Sequence, residues 1–419
     1  MRILTTFLVA CLSIATQANE VYTVIANPGE NASNSIRINW HSDIDSENTY
    51  CLYTECNDTN WKHSKKAVPQ SELCTAYDSM YSKTADNKNI YEQARFIRNT
   101  IELNKLKPGT KYMYKIVPCD NSGETYYFKT APTNEVWTAG IISDFHAYTP
   151  IPNRVKSAMK MISTLEQCNN ADLDLMLHVG DIIAWGGSYS FWKDLYTNEP
   201  FKKYVWAGVN GNHDNMDRTN KKNTNNFFRY ANNNPENGYT GEIGVCYHFT
   251  YGNTLFIMLN NEDMRSKEGL DAAQEWVRKV IKENPAKFTV VMEHYQWFFG
   301  TSGKFSQYTR WNELFDECGV DLAIGANNHI YARTNAIYQG KETDGSKGTV
   351  YLQTTSSDNE RGQAMKEWTH NKDIIKYRWC EGPKSISGIT MRNVGDKLYL
   401  KLYDRYGNII DTVTVLAKK

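Results

Sequence analysis

VWTAGIISDFH, Val136 to His146, is an apolar run of strand length that ends in a carboxylate and an imidazole. From here on the chain alternates such runs with helical stretches. LDLMLHV, KYVWAGV, FTVVME and VDLAIG repeat the strand type. Between them LDAAQEWVRKVIKEN puts Leu270, Ala273, Val277, Val280 and Ile281 on one helical face. Alternating strands and helices imply an α/β layered core, whose ligands collect beyond the carboxyl ends of the strands.

The chain before this point has a different texture. Short β-type runs broken by turn residues fill Val21 to Thr130: SIRINW and TIELNKL alternate, and the turn KPGT precedes KYMYKIVPC. The run TYYFKT closes the segment and APTNE reads as a linker. This pattern predicts a small all-β sandwich, and it holds no cluster of potential catalytic residues. The tail, SGITMRNVGDKLYLKLYDRYGNIIDTVTV, returns to β alternation and is expected to finish a sheet of the second domain. The expected division is a leader over residues 1–18, a β-sandwich over 19–132 and an α/β domain over 133–419.

Composition narrows the function. Lys+Arg 47 balances Asp+Glu 47, so bulk electrostatic binding of nucleic acid or anionic membrane is not implied. MRILTTFLVACLSIATQANE has the layout of a cleaved secretory signal, with an apolar run too short to span a bilayer. A secreted or endolysosomal location follows. Of nine cysteines, Cys11 lies in the leader, and the even remainder suits disulfides in an oxidising compartment. The sequons at Asn31 (NAS) and Asn57 (NDT) are candidate glycosylation sites.

Each strand of the second region ends in groups able to bind a metal. In order these are Asp144 and His146; Asp181; Asn212 and His213; His294; and His329. One such ending means little, since an Asp there is often a helix cap and a His a hydrogen-bonded structural residue. Five in succession are hard to obtain by chance. Mixed O and N donors suit Zn, Mn or Fe, and no Cys points to a soft thiolate site. Two ions sharing a carboxylate would polarise a phosphoryl oxygen and generate a hydroxide nucleophile.

The ordered blocks SDFH, GDII, GNHD, EH and NxH resemble the calcineurin-like metallophosphoesterase superfamily. LKPGTKYMYKI, YYFKTAP and YHFTYGNTLFIMLNNED resemble segments of purple acid phosphatases of the plant type, which carry an N-terminal fibronectin type III-like domain. The resemblance implies that sandwich followed by a β-sandwich flanked by helices. It also implies one or two metal ions and hydrolysis of a small phosphate monoester by metal-bound hydroxide. Asp144, His146 and His329 would hold the first ion, Asp181 would bridge, and Asn212 and His294 would hold the second. His213 would stabilise the phosphate or protonate the leaving group. The alternatives are a phosphodiesterase or nucleotide hydrolase on the same site, and a non-enzymatic secreted protein with a degenerate second site.

Two positions depart from the family pattern. Ala184, beside Trp185, stands where purple acid phosphatases carry the iron-binding Tyr, and His146 stands where they lack a histidine, so the protein is expected not to be purple. In IGANNHIYAR, Asn327 stands at the first His of the usual GHxH. A carboxamide there suits hard ions better than Zn or Fe; otherwise Asn327 ligates nothing. His178 and His248 read as structural, and His41, His63 and His370 as surface or loop. Tyr295, Gln296 and Trp297 either shape the pocket or pack. The stretch RTNKKNTNNFFR, Arg218 to Arg229, reads as a basic solvated loop.

Overall fold

The computed structural model describes residues 20–46, 48–83, 89–118, 124–133, 135–216, 226–240, 244–299, 306–358, 370–382 and 385–418. The leader, Cys119 and residues 218–225 of the basic stretch lie outside them.

Eight strands build the N-terminal sandwich: β1 (Val21–Pro28), β2 (Ile36–Ser42), β3 (Tyr50–Glu55), β4 (Lys65–Ala67), β5 (Gln70–Lys83), β6 (Asn89–Leu103), β7 (Lys111–Val117) and β8 (Tyr126–Lys129). They form two four-stranded sheets, in the orders β1-β2-β6-β5 and β4-β3-β7-β8. Ile38 and Trp40 of β2 meet Tyr114 and Phe128 of the other sheet in one buried core. The alternation of SIRINW sends Ile36, Ile38 and Trp40 into this core, while Asn39 and His41, on the other face, are buried as well.

The second region is a sandwich of two larger sheets. One has the order β11-β10-β9-β20-β21-β22, made of β9 (Val136–Ile142), β10 (Leu175–His178), β11 (Trp206–Gly208), β20 (Ser387–Val394), β21 (Lys397–Asp404) and β22 (Ile409–Leu416). The C-terminal strands therefore complete the sheet that begins with the opening stretch. The other sheet runs β12 (Tyr247–Tyr251), β13 (Thr254–Met258), β14 (Phe288–Met292), β15 (Leu322–Gly325), β18 (Thr349–Gln353), β16 (Tyr331–Tyr338) and β17 (Lys341–Glu342), with β19 (Ile375–Trp379) beside β16. Strands β9, β10 and β11 are mutually parallel, and so are β13, β14, β15 and β18.

Side-chain alternation divides these strands between layers. Ala139, Ile141, Leu177 and Ala207 face Phe256, Met258, Val290 and Ile324 across the inter-sheet core. Their sequence neighbours face outward and are covered by helices. Ile142 and Met176 pack under α1 (Asn153–Asn169), with α2 (Tyr189–Leu195), α3 (Glu199–Lys203) and α4 (Asn226–Ala231) contributing to the same cluster. Ile257, Val291 and Ala323 pack under α5 (Lys267–Glu283) and α6 (Tyr308–Cys318). Both faces of the parallel strands are buried, which is why they read as continuous apolar runs. Helix α5 begins where the Ser266 hydroxyl accepts from Gly269 N, and it buries Ala273, Trp276, Val277 and Val280. Burying each of the larger of these contributes about 1.5–3 kcal/mol. The architecture is helix–sheet–sheet–helix behind an all-β sandwich.

Two expectations are corrected here. His41 is not a surface residue but fully buried on β2. Its Nε2 lies 2.6 Å from Tyr230 O and its Nδ1 2.8 Å from Tyr189 Oη, so it joins the N-terminal sandwich to α4 and α2. Since a carbonyl can only accept, Nε2 carries the proton and Tyr189 donates to Nδ1. Disulfides are also absent among the described residues. Cys51, Cys56, Cys74, Cys168, Cys246 and Cys318 are free thiols, and Cys380 donates to Gly382 O and Ser385 Oγ. The thiols sit on separate elements: Cys51 on β3, Cys74 on β5, Cys168 on α1 and Cys318 on α6. The even count was compositional and carried no geometry.

Candidate metal centre

The carboxyl ends of the parallel strands of both sheets meet at one end of the sandwich. Past β9 the chain turns at Asp144 and His146, past β10 at Asp181, and past β15 at Asn327 and His329. All five adopt left-handed backbone, with φ of 51°, 46°, 50°, 64° and 57°. Such conformations cost non-glycine residues roughly 1–3 kcal/mol each and persist only where surrounding contacts over-determine them.

Those contacts are present. Asp144 N donates to Gly180 O, His146 N to Asp181 O and Ala147 N to Ile182 O, zipping the first loop to the second. The Ser143 hydroxyl donates to Asp144 Oδ2 at 2.5 Å, and the Ser356 hydroxyl to Asp144 O at 2.7 Å. Two glycines allow the close approach. A Cβ on Gly180 would stand 2.6 Å from His294 Nδ1, and one on Gly211 would stand 2.1 Å from Asp181 Oδ1.

Three imidazoles are aimed in the same way. His146 Nδ1 lies 2.7 Å from Asp144 O, His213 Nδ1 2.8 Å from Ala184 O, and His294 Nδ1 2.7 Å from Val179 O. Each carbonyl requires a proton on Nδ1, so each ring presents an unprotonated Nε2 when neutral. Nε2 of His146 and of His294 both stand 3.2 Å from Asp181 Oδ2, and Nε2 of His329 stands 3.2 Å from Asp144 Oδ1. His294 Nε2 and Asp144 Oδ1 nevertheless lack a hydrogen bond of acceptable angle. These atoms converge without bonding one another well, the arrangement expected of donors around a cation.

Three donor groups result: Asp144, His146 and His329; His146, Asp181 and His213; and Asp144, Asp181 and His294. Within each, the donor atoms lie within 4.8 Å of one another. Asp181 belongs to two groups and is 2 % exposed. Asn212, beside His213, has a buried Oδ1 without a hydrogen-bond partner among the described residues. A buried carbonyl oxygen left unsatisfied is costly unless something outside the chain takes it up. The donors present therefore fit one or two divalent cations.

Electrostatics agree. Burial pushes the Asp181 carboxyl up, but the charges of His294 and His213, with the His146 and His294 rings facing it, overcome this and hold it well below the usual carboxylate range. Burial pushes His294 down, yet the Asp181 carboxylate reverses this and raises it to about 10. Beside them Asp214 rises to about 8, through burial and then repulsion from Asp181. Its carboxylate accepts from Ile183 N and Gly211 N, tying the second and third loops together.

Asn327 is not part of the carboxylate and imidazole groups; its Nδ2 donates to Gln296 Oε1 at 2.6 Å. Trp297 is fully buried against Phe315 and Tyr351, so it packs rather than lines a pocket. The Trp185 ring lies 5.7 Å from that of His213. His178 and His248 are buried on β10 and β12, His63 is exposed and His370 half-buried. Asn31 and Asn57 are exposed on the N-terminal sandwich.

Supporting residues beyond the expected set also stand at strand ends. Asn261, after β13, accepts both His294 N (2.9 Å) and Tyr295 N (2.8 Å) on Oδ1 and donates to Glu293 Oε2 (2.6 Å). Ser356 and Ser357, after β18, hold Asp144 O and Ser143 N. They follow apolar strands as the ligand blocks do, but amides and hydroxyls are common in turns, so their position alone does not mark them.

The family profile described as Calcineurin-like phosphoesterase matches residues 138–331, and that described as Purple acid Phosphatase, N-terminal domain, matches residues 21–130. No curated protein matches the chain. Among solved structures, the purple acid phosphatase PPD1 from yellow lupin (Lupinus luteus) seeds superposes with a TM-score of 0.74 at 16% identity, over 96% of this chain and 75% of that one. A structure of PhoD superposes with a TM-score of 0.55 at 13% identity, over 95% and 94%. These likenesses establish the fold. With the two profiles lying end to end over the two sandwiches and the donor groups at the strand ends, residues 138–331 are a calcineurin-like phosphoesterase domain and residues 21–130 an N-terminal domain of the purple acid phosphatase type.

Proposed function

We propose that the protein is a secreted, metal-dependent phosphatase hydrolysing small phosphate monoesters. The observation that carries this reading is the common aim of His146, His213 and His294, each fixed through Nδ1 on a backbone carbonyl around the Asp181 carboxylate. Asp144, His146 and His329 would hold one ion, Asn212 and His294 the other, and Asp181 would serve both. Bound there, divalent cations supply Lewis-acid activation of water and of the phosphoryl group.

The remaining work falls to the chain. Asp181 also accepts His213 N at 2.8 Å, which fixes the His213 ring at the edge of the donor groups. The Nδ1–H of His213 is committed to Ala184 O, so Nε2 is the atom that exchanges a proton with the leaving oxygen. Trp185, beside that ring, walls the same corner.

Elemental analysis paired with hydrolysis of an aryl phosphate across pH, with Mn, Zn or Fe added, tests the reading. Two ions per chain and turnover of the monoester are expected. No turnover with any metal, together with at most one ion bound, would sink it. Faster turnover of an aryl diester than of the monoester would replace it with a phosphodiesterase. Secretion is tested separately, since the exported protein should begin near residue 19.

A further inference from the structure

The second metal position has an unusual feature, an amide pair where the family pattern has a histidine. Asn327 follows β15 in left-handed backbone, and its turn is fixed by Ala326 N donating to His294 O and Asn328 N donating to Ala326 O. The segment carrying His294 and the segment carrying Asn327 thus run side by side. Across that gap Asn327 Nδ2 donates to Gln296 Oε1 at 2.6 Å, and Gln296 is buried, 4 % exposed. An amide has one donating and one accepting end. A partner that takes the N–H end decides where the oxygen goes.

We propose that Gln296 is a positioning residue that holds the Asn327 carboxamide with its oxygen as a ligand for the second metal. The inference rests on the metallophosphoesterase reading and deepens it. The donors of this position are then the Asp181 carboxylate, the carboxamide oxygens of Asn212 and Asn327, and one imidazole, His294. The first position has two imidazoles, His146 and His329. An oxygen-rich set lowers the advantage of Zn over Mn or Mg relative to an imidazole-rich one. The two positions therefore discriminate differently among ions, the second preferring Zn over Mn less strongly than the first. The fixed amide does for an oxygen ligand what a backbone carbonyl does for the Nδ1 of His294.

The test is calorimetric titration of the full-length chelated protein with Mn and with Zn, without reference to turnover. Gln296→Met keeps the volume and removes the acceptor. Its weaker Mn site should lose affinity by about 10–100-fold, the range for an outer-shell partner. Gln296→Glu keeps an acceptor and should bind Mn at least as tightly as the unaltered protein. Asn327→Ala should leave one ion per chain, and Asn327→His should raise the ratio of Zn to Mn affinity at the second position. Unchanged Mn affinity in Gln296→Met, or weakening by Gln296→Glu alone, would overturn the inference. So would two ions bound unchanged by Asn327→Ala. One ion bound by the unaltered protein and lost in Asp144→Asn would overturn it while leaving the metallophosphoesterase reading intact. No ion bound at all would remove that reading itself. Thermal unfolding of the chelated variants shows whether each is folded before titration.

Discussion

The two sides of the metal centre are built from the same strand-end architecture but with different donors. On the side of Asp144, two imidazoles and a carboxylate meet, and the carboxylate is held by the Ser143 hydroxyl. On the side of His294, one imidazole stands with the carboxylates of Asp144 and Asp181 and near the unpaired carboxamide oxygen of Asn212, and the proposed further donor is the Asn327 carboxamide, tied to Gln296. Asp181 lies between and touches both. On the proposed assignment, the fold keeps the position of its donors while changing their chemistry. What must be preserved is the strained turn after each strand, since Asn327 adopts the same left-handed backbone as His329.

The shared residue offers the strongest way to break the comparison. Asp181→Asn should remove both sides together, with a loss of turnover larger than the roughly 10–100-fold that an outer-shell partner costs. Metal content and aryl phosphate hydrolysis measure it; retention of either ion at normal affinity would show that the sides are independent. Next in size is His213→Ala, which removes the proton-exchanging ring without removing an ion. Turnover should fall by about 10²–10⁴-fold for a poor leaving group and much less for an acidic phenol. An equal fall for both would deny His213 a role at the leaving oxygen.

A third prediction uses His41, a buried imidazole that joins the N-terminal sandwich to the second region and stands apart from the metal centre. Burial pushes His41 down from its ordinary value to about 3, against the hydrogen bond to Tyr230 O, which acts to raise it. The folded protein therefore stays neutral at His41 while the unfolded chain takes up a proton. The stability contributed by the neutral ring is fully present above the unfolded value near 6.5 and is lost as pH falls from there toward 3. Denaturant unfolding of chelated protein across this window should show the slope, and His41→Gln should flatten it while lowering stability at neutral pH. An unchanged slope would place the acid sensitivity elsewhere.

Much of this was legible in the sequence because parallel strands covered on both faces leave long apolar runs, and chemistry follows directly after them. Asp144, Asp181, His294 and His329 were readable on that ground. Asn261, Ser356 and Ser357 stand at equivalent strand ends, yet amides and hydroxyls are so common in turns that position alone does not mark them. Only the three-dimensional pairing of Asn261 with the backbone of residues 294 and 295 does. His41 was misread for a related reason: its burial comes from docking of the N-terminal sandwich against α2 and α4, a contact across 148 residues of chain. Nothing in its local sequence records that. The cysteine count misled because parity carries no distances.

The smallest expected effect concerns the first side alone. With Ala184 at the tyrosine position and His146 supplying an imidazole, iron loading should produce no intense visible band. A strong charge-transfer band would mean that a phenolate reaches the first ion.

The central claim is that two ions sit at these strand ends. Anomalous diffraction from crystals soaked in Mn tests it most directly. Two peaks are predicted, one among Asp144, His146 and His329, the other among Asn212, His294 and Asn327, with the Asp181 carboxylate between them. No peak at these residues, or a peak bound only by groups outside them, would contradict the account.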